Sequence, residues 1–133
     1  MIVSIQNIDA FIIDYEANSG AVGCLMPTLN PIIDCIRRNY PMIPIIMLGR
    51  IPSELERFDI EILKRRITHQ AFYKKTIQLR QDQHLYHLDG TTYFPNYLEN
   101  MTVDGIHLND LGFSQVVEYL IPYLKIWTNN EGN

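Results

Sequence analysis

Three short apolar runs, separated by stretches with helical periodicity, constrain this chain more than any other feature. The runs are "IDAFIID" (8–14), "PIIMLG" (44–49) and "HLYHLDG" (84–90). Runs of this length that stay apolar at successive positions suit strands buried on both faces, as in a parallel sheet. Between the first two, "NPIIDCIRRNYP" (30–41) offers Asn30 as an N-cap, Pro31 at the first helical position, and a stripe of Ile32, Ile33 and Ile36. Arg37 and Arg38 fall near its end, where cations oppose the helix dipole. From Ser53 to about Gln81 a second helix is expected. Leu55, Phe58, Ile62, Leu63, Ile67, Phe72 and Ile77 mark its apolar face, and "KRR" (64–66) reads as a solvated face. After an irregular stretch (91–101) a last helix opens near Asn109 or Asp110. Phe113, Val116, Val117, Leu120 and Leu124 form its core-facing stripe, and Pro122 is expected to bend it.

The order strand, helix, strand, helix, strand, loop, helix predicts an α/β fold: a parallel sheet with helices on both faces. Residues 1–127 read as one domain and residues 128–133 as a frayed tail. Three strands make a small sheet. The first strand, if central, leaves a long apolar edge open, and natural proteins cover or blunt such edges. Pairing of another segment at that edge is therefore an expectation.

The composition excludes several function classes. At 133 residues and 47% hydrophobic the chain can bury a core without staples. Its net charge is −4 with the signs interspersed, so the basic stripe of a nucleic-acid binder is missing. No apolar run reaches the length of a membrane span. The start "MIVSIQNID" has no basic n-region, so the chain as given reads as soluble and cytoplasmic, with secretion open if a leader lies upstream of Met1. Cys24 and Cys35 have no metal or redox spacing and read as reduced thiols, with a disulfide between them left open. His84 and His87, three apart on a strand, point to opposite faces, and His69 has no partner at ligand spacing, so no metal site is expected. Gly20 and Gly23 do not make a phosphate-cradling dinucleotide loop.

The chemistry concentrates in "TVDGIHLNDLGF" (102–113). Asp104 and His107 lie three positions apart in a short loop, with Gly105 between them to permit a tight turn. A carboxylate that holds one imidazole nitrogen leaves the other to take a proton from a nucleophile. The structural alternative is a surface loop whose Asp and Asn side chains cap the next helix. Asn18 follows the first strand, where its amide can donate to a developing oxyanion; the alternative is a turn asparagine beside Ser19 and Gly20. Tyr93 and Tyr97 border the Asp–His loop, either lining a pocket or packing.

Taken together these stretches resemble the SGNH, or GDSL-type, ester hydrolases. "LYHLDGTTYF" followed by "DGIHLNDLGF" is similar to the last block of one bacterial branch, "IDAFIIDYEANSG" to its oxyanion-asparagine block, and "RRNYPMIPIIML" to the connection between them. The resemblance covers residues 8 to about 127. It implies a three-layer α/β/α sandwich, here truncated to about three strands of a parallel sheet. It also implies hydrolysis of carboxylic esters such as acetyl or short-acyl groups on small molecules or carbohydrates, without a cofactor. Asp104 and His107 would be the acid and base, and Asn18 an oxyanion donor. The Gly-Asp-Ser-like nucleophile block and the oxyanion-glycine block have no counterpart. The serines are Ser4, Ser19, Ser53 and Ser114, and none follows that pattern. Three readings follow: the C-terminal portion of an esterase, inactive alone; a catalytically dead, esterase-derived binding or structural module; or a hydrolase with an unusual nucleophile.

Overall fold

The computed structural model describes residues 5–19, 24–93 and 100–129. The elements are β1 (Phe11–Ile13), α1 (Leu25–Asn39), β2 (Ile45–Leu48), α2 (Ile60–Arg80), β3 (Leu85–Leu88) and α3 (Asp110–Asn129), with single 3-10 turns at Glu16–Asn18, Glu54–Arg57 and Gly90–Thr92. The sheet is parallel in the order β1-β2-β3, with Phe11 opposite Ile45 and Ile45 opposite Leu85. Right-handed crossovers between sequential parallel neighbours put α1 and α2 on the same face. Ile45 and Met47 of β2 pack there against Leu25, Leu29, Ile33 and Ile36 of α1 and Tyr73 of α2. Ile46 and Leu48 point the other way, toward Val116 and Leu120 of α3. The result is an α/β/α sandwich with its core on both sides of β2, as the apolar runs predict. Among the described residues, no strand pairs with the outer edge of β1 or β3.

The helices depart from expectation in instructive ways. α1 begins at Leu25, so Asn30 is not its cap and Pro31 lies inside it. An interior proline costs about 3 kcal/mol. Leu25 and Leu29 are fully buried, and each stabilises by about 1.5–3 kcal/mol, so extending the stripe by a turn and a half offsets the proline. The stretch expected as one helix from Ser53 is two. Ser53 caps the Glu54–Arg57 turn through a capping box with Glu56, and Asp59 caps α2.

The expected apolar stripe of α2 is buried in part, with Phe72 and Ile77 packed half-buried against the core. Phe58 and Ile67 are exposed, while Arg66, His69, Tyr73 and Thr76 face inward. Arg66 therefore corrects the reading of 64–66 as a solvated face. Arg66 pairs with Glu56 and Tyr73 stacks on His87, while His69 Nδ1 lies 3.4 Å from Glu16 Oε1. Hydrophobic periodicity cannot see such partners.

On α3 the core stripe is Val116, Leu120 and Leu124 with Tyr119 and Tyr123, whereas Phe113 and Val117 are exposed. α3 runs through Pro122 to Asn129, so Thr128 and Asn129 belong to it, and residues 130–133 lie outside the described residues. So do Gly20, Gly23 and Tyr97. Cys24 and Cys35 are free thiols. Among the described residues no helix is long and apolar enough to cross a membrane, and no three His, Cys, Asp or Glu side chains cluster as metal ligands.

Candidate active site

The loop before α3 is a small closed structure. Thr102 and Leu108 form an antiparallel bridge, and the Val103 N–H donates to the His107 carbonyl at 2.9 Å. Gly105 turns the chain at φ +80°, a conformation that L side chains rarely adopt. Inside this turn Asp104 is held from three directions. Its Oδ1 accepts the N–H groups of Ile106 at 3.0 Å and His107 at 2.7 Å, and its Oδ2 lies 2.7 Å from His107 Nδ1.

These bonds, the His107 backbone N–H first, hold the Asp104 carboxyl down to about 2. An ionised carboxylate can only accept, so in the neutral ring Nδ1 carries the proton and the lone pair is on Nε2. Both side chains are well exposed, His107 at 74%. The arrangement is a base with its tautomer fixed and its working nitrogen open. Capping of α3 falls to Asn109, whose Oδ1 accepts the Gly112 N–H at 2.9 Å and whose Nδ2 donates to the Asn100 carbonyl at 2.8 Å. Gly112 is required because a Cβ there would collide with the Met101 carbonyl oxygen. The capping alternative for this loop thus applies to Asn109 and leaves Asp104 to His107.

Asn18 ends the turn that follows β1. It is exposed, and its backbone N–H donates to the Tyr15 carbonyl at 3.1 Å. Beneath it Glu16 is buried at 4% exposure. Glu16 Oε2 accepts the Arg50 N–H at 2.8 Å, and Oε1 lies 3.4 Å from His69 Nδ1. Burial pushes the Glu16 carboxyl up to about 7, against the opposing pull of the Arg50 N–H and the Arg50, Arg66 and Arg65 charges. Burial pushes His69 the other way, toward its neutral form. Each group is thus biased toward neutrality.

The segment after β2 connects the two halves. Arg50 anchors the Asn18 turn through Glu16, while Ser53 Oγ and the Glu54 N–H both donate to the Gly105 carbonyl at 3.1 Å. Asn18 and the Asp104–His107 pair are therefore tied to one short connection at the carboxyl end of β2, where open parallel sheets place their ligands.

No described serine faces His107 as a nucleophile would. Ser19 and Ser53 are buried and donate to the carbonyls of Glu16 and Gly105, and Ser114 lies on α3 with its side chain exposed. Ser4 lies outside the described residues. His87 is stacked on Tyr73 at a centroid distance of 4.7 Å, and burial brings it down to about 4, so it is a neutral core group. Tyr93 is packing rather than pocket: it is buried, with its hydroxyl donating to the Leu88 carbonyl.

Comparison with known proteins fits this geometry. The model of the GDSL-like lipase/acylhydrolase family matches residues 1–125. The chain belongs to that family. A Bacteroides ovatus protein described as a GDSL-like lipase superposes with TM-score 0.79 at 25% identity, over 96% of this chain and 38% of its own. A Streptococcus pneumonia protein described as a platelet activating factor gives TM-score 0.65 at 19% identity, over 88% of this chain and 60% of its own. A salicylyl-acyltransferase from a tetracycline biosynthetic pathway gives 0.61 at 13%, over 88% and 37%. The last two are similar in fold. The GDSL-like chain spans 38%, 60% and 37% of these three proteins. No curated protein sequence matches it.

Sequence reasoning missed Glu16, Ser53, Glu56 and Arg66. For Ser53 and Glu56 a signal existed, since "SELE" is the S-x-x-E capping-box pattern. For Glu16 no local signal exists, because its partners lie 34 and 53 positions away.

Proposed function

We propose that this chain supplies the acid, the base and one oxyanion donor of a serine-type carboxylic ester hydrolase acting on acetyl or short-acyl esters of small molecules or carbohydrates. Its nucleophile is a serine that these 133 residues do not hold. The observation that carries the reading is the Asp104–His107 pair, with Nδ1 bonded at 2.7 Å to a carboxylate that two backbone N–H groups keep ionised.

His107 Nε2 takes the proton as the serine Oγ attacks the ester carbonyl carbon. The Asn18 carboxamide donates to the oxyanion that forms. Collapse expels the alcohol, which takes the proton from His107, and leaves an acyl-serine. Water then attacks the acyl carbon with His107 again as base, and the carboxylic acid and free serine are released. Asp104 keeps its negative charge throughout and stabilises the imidazolium.

In the polypeptide that unites this chain with the nucleophilic serine, His107→Ala is expected to lower the turnover of a short-chain ester by roughly 10³-fold or more. A loss under tenfold would overturn the assignment. The second reading, a catalytically dead binding or structural module, is favoured by one observation: Ser19 and Ser53 are both buried and bonded to carbonyls. Ester turnover by the united polypeptide that disappears with His107→Ala would exclude it.

A further inference from the structure

The Gly105–Ile106 peptide unit is gripped at both ends. Its carbonyl accepts Ser53 Oγ and the Glu54 N–H, each at 3.1 Å, and its N–H donates to Asp104 Oδ1 at 3.0 Å. The orientation of this one amide plane therefore decides whether the Ile106 N–H, one of the two backbone donors to Asp104, points at the carboxylate. Ser53 is itself fixed. It is 5% exposed, and its hydroxyl accepts the Leu55 N–H at 3.2 Å. Its own N–H donates to Glu56 Oε1 at 3.1 Å.

Glu56 is in turn clamped by Arg66, with Nε to Oε1 and Nη2 to Oε2 both at 2.8 Å, and the two side chains are 8% and 9% exposed. Arg66 lies on the inward stripe of α2. A bidentate, nearly buried pair of this kind is geometrically stiff. A continuous chain of bonds thus runs from the buried face of α2 to the carboxylate that orients His107.

We propose that Ser53, braced by the Glu56–Arg66 pair, is a positioning residue for the Asp104–His107 pair, acting through the Gly105–Ile106 peptide. The proposal rests on the reading of Asp104 and His107 as the acid and base. Ser53 touches no reacting atom. It holds the amide plane whose N–H, beside that of His107, fixes Asp104 Oδ1, and polarises that amide so that its N–H is a better donor.

The test is amide hydrogen exchange by NMR in this chain, with Tyr73 on α2 as the internal control. Ser53→Ala is expected to lower protection of the Ile106 amide by roughly five- to tenfold, to broaden the His107 Nδ1–H resonance, and to leave Tyr73 unchanged. Ser53→Thr keeps the hydroxyl at an extended backbone position that suits a β-branched residue, and should restore both signals. If Ser53→Ala does not fold, Glu54→Pro carries the test. It removes the other donor to the same carbonyl, at the first residue of a turn where proline is tolerated. Unchanged Ile106 protection in the folded variants, or equal losses at Ile106 and Tyr73, would overturn the proposal. Because the readout is loop geometry, its failure is distinct from failure of the catalytic reading, which the His107→Ala turnover decides.

Discussion

Among the described residues, two carboxylate–imidazole pairs differ in almost everything except chemistry. Asp104 and His107 meet at 2.7 Å with side chains 48% and 74% exposed. Glu16 and His69 meet at 3.4 Å with side chains 1% exposed each. In the first pair, two backbone N–H groups and the imidazole bring the carboxyl down to about 2, so it is a permanent anion. In the second, burial lifts the carboxyl to about 7 and disfavours the charged imidazole, so neither partner readily ionises. In the proposed acid–base role, the first pair would use a fixed charge, a fixed tautomer and an open nitrogen. A pair built to join a turn to a helix needs only to be buried and matched in shape. The same two functional groups serve both ends because backbone donors and solvent set their charge.

Breaking each imidazole gives the sharpest contrast. His107→Ala should remove turnover in the united polypeptide, as above, while leaving the urea midpoint of this chain nearly unchanged, because the side chain is exposed. His69→Ala should do the reverse. It empties a site 1% exposed and strands the Glu16 carboxyl, for a loss of about 2–4 kcal/mol in urea unfolding. Equal losses of stability in the two variants would erase the distinction.

Glu16→Gln sharpens the comparison through pH. The folded state raises Glu16 from 4.5 to about 7, so over that window the native protein holds a proton that the unfolded chain releases. The Glu16 contribution to stability is thus full below 4.5 and is lost as pH rises through about 7. His69, whose folded value is lowered from 6.5, works in the opposite sense: its contribution is regained as pH rises through 6.5. Glutamine keeps the acceptor for the Arg50 N–H but cannot ionise. Its advantage over the native residue should therefore grow by about 3 kcal/mol between pH 4.5 and 7.5, read from urea curves at stepped pH. Parallel stability curves for the two proteins would contradict the assignment of Glu16 as a buried, proton-holding carboxyl.

The exposed pair was legible in the sequence and the buried one was not. Asp104, Gly105 and His107 sit within four residues, so local spacing carries their geometry. The strands were legible because Ile45, Ile46 and Met47, all fully buried, are apolar at successive positions. On α2 periodicity finds Phe72 and Ile77, which pack against the core, and passes over the more deeply buried Arg66, His69, Tyr73 and Thr76. Arg66 and Tyr73 meet partners on other elements, Glu56 and His87, and sequence spacing holds no trace of which element arrives. The start of α1 was misread for a related reason. Pro31 looks like a helix entrance locally, and only the buried positions of Leu25 and Leu29 against the sheet show that the helix began earlier.

The role of His107 turns on which ring nitrogen holds the proton, and ¹⁵N NMR of the imidazoles above pH 8 reads this directly. Two nitrogen shifts that place the proton on Nδ1, with Nε2 unprotonated, are the expected result, since Asp104 Oδ2 can only accept. A His107 ring protonated at Nε2, or averaging between tautomers, would mean that Asp104 does not orient it, and the acid–base reading of this loop would fall.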